Sequence, residues 1–488
     1  MLNNNIQLIR IFLFTSFKLM HTFRNIKILC LVLPLLTLLS SCKNEFKGCE
    51  YVAYFGGEIV NPNNSYVLFC KDNEVIDTLK LDKNNRFFIQ FDSLSPGLYT
   101  FKHEPEYQYV YFDKNDSLMV RVNSKDFDNS LFFCGRGDQK NNFLMELYLK
   151  NEVDRNTMFD IFDYNFVAFT KQIDSNYVKT KAFYTAKKEE INWDDDFDVF
   201  ATAALDFYYY SNKELYPLVH KIRTGEDVIK KLPNDYYDFR KKVDFNNVEL
   251  LGYSPYVMYL SHMLNNMGTI NYHNHFTEND LALKTNINKM TIADTLIKNE
   301  KVKNTLLNTI AFTYLLEDQN MGNNKKFLDT YKKISTDKSK ENEITTICNA
   351  IQMLKVGSTL PEVNLIDIND NEVSLTNLYQ PNTVFFFWTD NAKSHFEAVH
   401  KKVLDYKTKY PNYNFVAINI NDHVEDWKNT LSNYNFKGIT ELHCSDFESI
   451  KAKWAINKIH RTIILDNKGQ IKNAFANLFD SQFEDNLK

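Results

Sequence analysis

The stretch NTVFFFWTDNAKSHF, Asn382 to Phe396, decides how the C-terminal third of this chain reads. From Val384 to Trp388 it is apolar and mostly aromatic, a composition that suits a strand buried on both faces. Polar Thr389, Asp390 and Asn391 break the run. Ala392, Phe396, Val399, Val403, Tyr406 and Tyr410 then recur at three- and four-residue steps, so Ala392 to Tyr410 is expected to be an amphipathic helix. Beyond it the pattern alternates: strand NFVAINI, a helix around Glu425 to Tyr434, a short segment through Cys444, a helix near Phe447 to Trp454, strand RTIILD, the turn NKG and strand QIKNAFA. Before it, VNLIDIND and NEVSLTNL read as a hairpin. Such alternation implies a central sheet covered by helices on both faces.

Upstream the period changes twice. From Tyr51 to about Cys134, short β-type runs such as YVAYFGGEIV, SYVLFC and RFFIQF are separated by NPNN, DKNN and SPG, a pattern that argues an antiparallel β-sandwich. Between Asp138 and Leu354, stretches such as NTLLNTIAFTYLLED carry helical spacing. The aromatic patch DFYYY (Asp206 to Tyr210) is read as a packing face rather than a sugar platform, NWDDDFD (Asn192 to Asp198) as a solvated helix start, and CGRGDQK (Cys134 to Lys140) as turn chemistry. The expected fold is therefore multidomain α+β: a sandwich over 42–137, a helical region over 138–354 and an α/β domain over 355–488.

Residues 1–41 read differently. Arg24 and Lys27 precede the apolar run ILCLVLPLLTLL, and SSC follows, the order of a secretory signal; the run is shorter than the ~20 residues a spanning helix needs. Met20 also opens a complete signal. LSSC (Leu39 to Cys42) resembles a bacterial lipobox, which implies lipid on Cys42 and a protein tethered in the cell envelope, at the outer membrane and facing the periplasm. Of seven cysteines, Cys30 would leave with the signal, and Cys49, Cys70, Cys134, Cys348 and Cys444 would remain beside the lipidated Cys42 without any C-x-x-C. These remaining ones are read as small buried hydrophobes. With 57 basic and 62 acidic residues there is no basic field for nucleic acid. No G-x-S-x-G, H-E-x-x-H, Walker loop or G-x-G-x-x-G is present, and no cofactor is expected.

VGSTLPEVNLIDINDNEVSL, FFFW and TIILDNKGQI, in this order, resemble the TlpA/ResA-type members of the thioredoxin superfamily over about residues 355–488. The preceding regions resemble the N-terminal extensions of such lipoproteins from Bacteroidetes-like bacteria. The resemblance implies a thioredoxin fold and a strand ending in F-W-A-x-W-C-x-x-C, with the first cysteine activated at a helix start. Registered on Trp388, that pattern places Ala392 at the attacking position and His395 at the resolving one. The family's cis-proline falls on His460. Alanine has no nucleophile and histidine cannot resolve a mixed disulfide, so dithiol exchange through this corner is chemically excluded. A cis bond before a non-proline costs about 2.5 to 4 kcal/mol, so the turn at His460 is expected to be trans.

Three functional readings follow. The first is a degenerate thioredoxin-like domain with a non-catalytic binding or scaffolding role toward a protein, a peptide or another ligand. The second is a thiol-disulfide oxidoreductase acting through a lone thiol, for which Cys444 is the candidate. The third is metal binding by His395 and His460, with Asp390, His400, His443 and Cys444 as neighbouring candidates; a site needs three or four ligands. An anion at the helix start near Asn391 and Lys393 is physically cheap and unspecific, and Asp390 would oppose it.

Overall fold

The computed structural model describes residues 52–488 except 73, 271–277, 319, 380, 381, 421, 435, 437 and 457. Cys30, Cys42, Cys49 and the signal-like run therefore lie outside the described residues. No described helix is long and apolar enough to cross a membrane.

Eight strands come first: β1 Ala53–Val60, β2 Tyr66–Lys71, β3 Glu74–Lys80, β4 Arg86–Phe91, β5 Gly97–His103, β6 Glu106–Phe112, β7 Ser117–Asn123 and β8 Phe132–Arg136. They form two four-stranded sheets, ordered β4-β1-β7-β8 and β3-β2-β5-β6. Alternate side chains of each turn inward, as the period of two demands. The Phe55 ring of β1 thus meets Phe69, Phe87, Phe101 and Phe112 at 5.6, 5.2, 5.7 and 5.7 Å. One pair departs from the antiparallel expectation, because β1 and β7 run parallel. The chain places β5 and β6 in the other sheet before returning, so β7 comes back in β1's direction. Gly137 ends the sandwich at φ +97°, where a Cβ would lie 2.3 Å from the Asp116 carboxylate, so the RGD sequence is a turn.

Helices follow at once: α1 Asp138–Ile161, α2 Phe166–Ile191, α3 Asp195–Thr224, α4 Ser254–Ile270, α5 Glu278–Leu296, α6 Glu300–Glu317, α7 Met321–Ile334 and α8 Lys338–Met353. NWDDDFD is a helix start, with the Asp194 carboxylate accepting from the Phe197 N–H at 2.9 Å. In DFYYY, Phe207 and Tyr210 are buried, so the patch packs.

The last domain holds β9 Asn382–Trp388, α9 Lys393–Lys409, β10 Tyr413–Ile420, α10 Val424–Asn433, β11 Thr440–Cys444, α11 Phe447–Trp454, β12 Arg461–Leu465 and β13 Ile471–Asn477. Its sheet runs β11-β10-β9-β12-β13. β9, β10 and β11 are parallel, and β12 and β13 are antiparallel additions. Every side chain from Thr383 to Trp388 is buried because the sheet is covered on both faces. Phe396, Val399, Val403 and Tyr406 of α9 cover one face, while Ile450 and Trp454 of α11 cover the other. That second core is continuous with Ile347, Cys348 and Ile351 of α8, so the helical region and the α/β domain share one interior. The expected hairpin is present in short form: Ile366 bridges Glu372, the Asp367 N–H bonds the Asn371 carbonyl and the Val373 N–H the Leu365 carbonyl, each at 2.9 Å, and Ile366 also bridges His443 of β11.

Candidate functional site

The corner between β9 and α9 is entered through a short 3-10 turn, Asp390–Ala392. A carboxylate holds it: Asp422 accepts from the Thr389 hydroxyl at 2.5 Å, from the Asp390 N–H at 2.7 Å and from the Asn419 side-chain amide at 2.6 Å. Asp390 in turn accepts from the Thr430 hydroxyl at 2.9 Å. Both acids are thus spent on the loop that shapes the corner. Ala392 is the residue before the first turn of α9 and supplies no side-chain cap.

One turn on, the half-buried His395 donates through Nε2–H to the Phe387 carbonyl at 3.1 Å, and its ring meets Phe479 edge-on at 5.8 Å. Burial lowers its proton affinity against the opposing bond to the Phe387 carbonyl, and the nearby His460 and His400 lower it further. His460 is exposed in the turn before β12. Its preceding bond is trans, the cis bond among the described residues being Glu104–Pro105. The next residue, Arg461, is 7 % exposed and donates to the Ala455 and Ala474 carbonyls, pinning the turn to the end of α11 and to β13.

His400 and His443 do not join this pair. His400 is fully buried, bonded through Nδ1 to the Phe396 carbonyl at 2.7 Å and through Nε2 to Glu441 at 3.1 Å. Glu441 also accepts from the Trp388 indole at 3.2 Å. Sequence reading missed Glu441; a glutamate inside the short strand ELHC was the available signal. His443 is fully buried, with Nδ1 on the Asn419 side-chain oxygen at 2.9 Å and its ring stacked on Trp427. Because the Asn419 amide is spent on Asp422, Nδ1 of His443 carries the hydrogen and Nε2 is a bare acceptor, without a partner among the described residues. Burial lowers its proton affinity, partly offset by Asp422. No group of three or more His, Cys, Asp or Glu able to hold a metal occurs among the described residues.

Cys444 is 1 % exposed. Burial pushes its thiol above the ordinary value, opposed by a main-chain bond from Asp446, and the thiol donates to the Asp446 carbonyl at 3.4 Å. Such a thiol is protonated at neutral pH and shut from solvent, the reverse of a nucleophile's surroundings. Cys70 and Cys348 are also buried and unpaired, and Cys134 is unpaired and exposed.

Residues 382–471 match a family model described as thioredoxin-like. No curated protein matches the chain. Among solved structures, the chain is similar to the thioredoxin domain of a thiol-disulfide oxidoreductase from Bacteroides vulgatus, with 21% identity over 28% of this chain and 93% of that one and a TM-score of 0.22. It is likewise similar to a thiol:disulfide interchange protein from Bacteroides sp., with 21% identity over 25% of this chain and 80% of that one and a TM-score of 0.21. The C-terminal domain is thioredoxin-like in its strand order and in its family match.

Proposed function

We propose that this chain is a cell-envelope lipoprotein whose thioredoxin-like domain has lost dithiol exchange and serves as a binding or scaffolding module for a protein or peptide. The observation that supports the reading most is the chemistry of the corner. Exchange needs a thiolate at the helix start and a second sulfur one turn on. A methyl group stands at Ala392, and the imidazole of His395 is tied to the Phe387 carbonyl. The rival reading, an oxidoreductase acting through Cys444, meets a buried, protonated thiol.

The deciding experiment is insulin reduction with dithiothreitol as electron source, run beside thiol trapping. We expect no acceleration over dithiothreitol alone. A reductase activity that disappears in Cys444→Ser would overturn the proposal. Anchoring is tested separately: radiolabelled palmitate should enter the wild-type chain and not Cys42→Ala.

A further inference from the structure

We infer that the open edge of β11 receives an extended, basic polypeptide segment as an added strand. The main chain of His443 exchanges both of its bonds with Ile366, at 2.9 and 3.0 Å. Backbone groups of a strand face its two neighbours alternately, so the N–H and C=O of Glu441 point to the same outer edge while Thr440, Leu442 and Cys444 serve the ladder with β10. An antiparallel neighbour would continue that edge with Ile368 opposite Glu441. Instead the chain turns away, the Asp370 N–H bonding back to the Asp367 carbonyl at 3.0 Å. Among the described residues, no other backbone bonds to Glu441 at this edge.

A groove of about 650 Å³ lies there, within the size range of ligand clefts. Thr440, Glu441 and Leu442 all line it. Since successive side chains point to opposite faces, three consecutive residues share one groove only where it runs along the strand edge. Ile368, Leu431 and Ile439 supply apolar walls for alternate side chains of an incoming strand.

Charge selects the occupant. Among the described residues that line the groove Lys428 is the cation, and both oxygens of Asp370 hold it at 2.8 and 2.7 Å. The Asp367 carboxylate accepts amides from Asn369 and Asn371 of its own turn, which hold it below the usual carboxylate range. Glu441 is compensated by His400 and bonded by the Trp388 indole, so Asp367 is the acid of the described rim without an ion-pair partner of its own. With Lys428 against Asp367 and Asp370, the described rim carries one net negative charge, complementary to a lysine or arginine, and the open main-chain pair is complementary to a strand.

This inference rests on the binding reading of the domain and moves the contact from the former redox corner to the sheet edge. The probe is a capped peptide of about seven residues alternating lysine and valine, long enough for one strand. A twin is N-methylated at the valines, and another carries glutamate for lysine. The full chain should bind the first by fluorescence anisotropy, and hydrogen exchange over residues 440–442 should slow. Either twin should bind at least about tenfold more weakly, a loss of ~1.4 kcal/mol. Leu431→Arg should weaken binding similarly; if it unfolds the domain, exposed Ser432→Arg serves instead. No binding, equal binding of the N-methylated twin, or unchanged exchange over 440–442 overturns the proposal. Insulin turnover would overturn the binding reading itself, so the two failures are distinct.

Discussion

Helix α9 starts at a residue that cannot cap it, and installing a cap tests whether the corner's amide donors are free. Six other helices among the described residues show what a cap would look like. Asn165, Asp194, Asn299, Asn320, Asp337 and Asp446 each accept from the N–H three residues on. Asp446 does so at 2.9 Å with φ −114° and ψ 81°, close to the φ −115° and ψ 60° of Ala392. Asparagine at 392 would therefore reach the His395 N–H without moving the backbone. Such caps contribute typically ~1 kcal/mol, about a fivefold change in the folding equilibrium. Aspartate adds a favourable interaction of about 0.3 to 1 kcal/mol with the helix dipole, but it also places a third carboxylate beside Asp390 and Asp422. Two like charges ~4 Å apart repel by about 1 kcal/mol even in bulk water. Ala392→Asn should thus stabilise by ~1 kcal/mol and Ala392→Asp by less. Urea unfolding followed by tryptophan fluorescence reads this domain, because Trp388, Trp427 and Trp454 lie within it. A neutral or destabilising Ala392→Asn would mean that the first-turn donors already have a partner, which would refute the inference from the missing side-chain cap.

Three further outcomes are expected. Because burial depresses proton uptake by His443, its folded form binds fewer protons than the unfolded chain below the ordinary histidine value; this site should lower stability as pH drops through about 6.5, by at most ~1.4 kcal/mol per unit beside the same-signed shares of His103, His262, His395 and His460, and His443→Phe should remove its share of the slope in urea titrations from pH 7 to 5. Iodoacetamide on the native chain should modify Cys134 well before Cys70, Cys348 or Cys444, as read by peptide mass spectrometry, and early labelling of Cys444 would contradict its burial. Glu214 is fully buried and bonded to Arg240 at 2.7 and 2.6 Å, so Glu214→Ala should cost roughly 3 to 5 kcal/mol in denaturant unfolding by stranding the guanidinium.

Local periodicity carried much of the fold. The last sandwich strand ends at Arg136 and α1 begins at Asp138, while α8 ends at Met353, so the changes of pattern coincide with changes of structure. The apolar stripe of α9 was legible because a helix face depends only on spacing. His400 was not: it sits in that stripe as a polar residue, and its partner Glu441 is 41 positions away. The parallel β1/β7 pair and the bridge from Ile366 to His443 were equally invisible, since strand direction and pairing depend on where distant segments return.

By itself the sequence determined the order of layers and the absence of sulfur at the start of α9, because element type follows residue spacing and side-chain chemistry belongs to the residue. Only the tertiary structure decided that Cys444 is sealed away, that Asp422 is consumed in shaping the corner, and that among the described residues the edge of β11 is paired at His443 and open at Glu441. Burial and pairing are set by the neighbours that folding brings together, and no local pattern contains them.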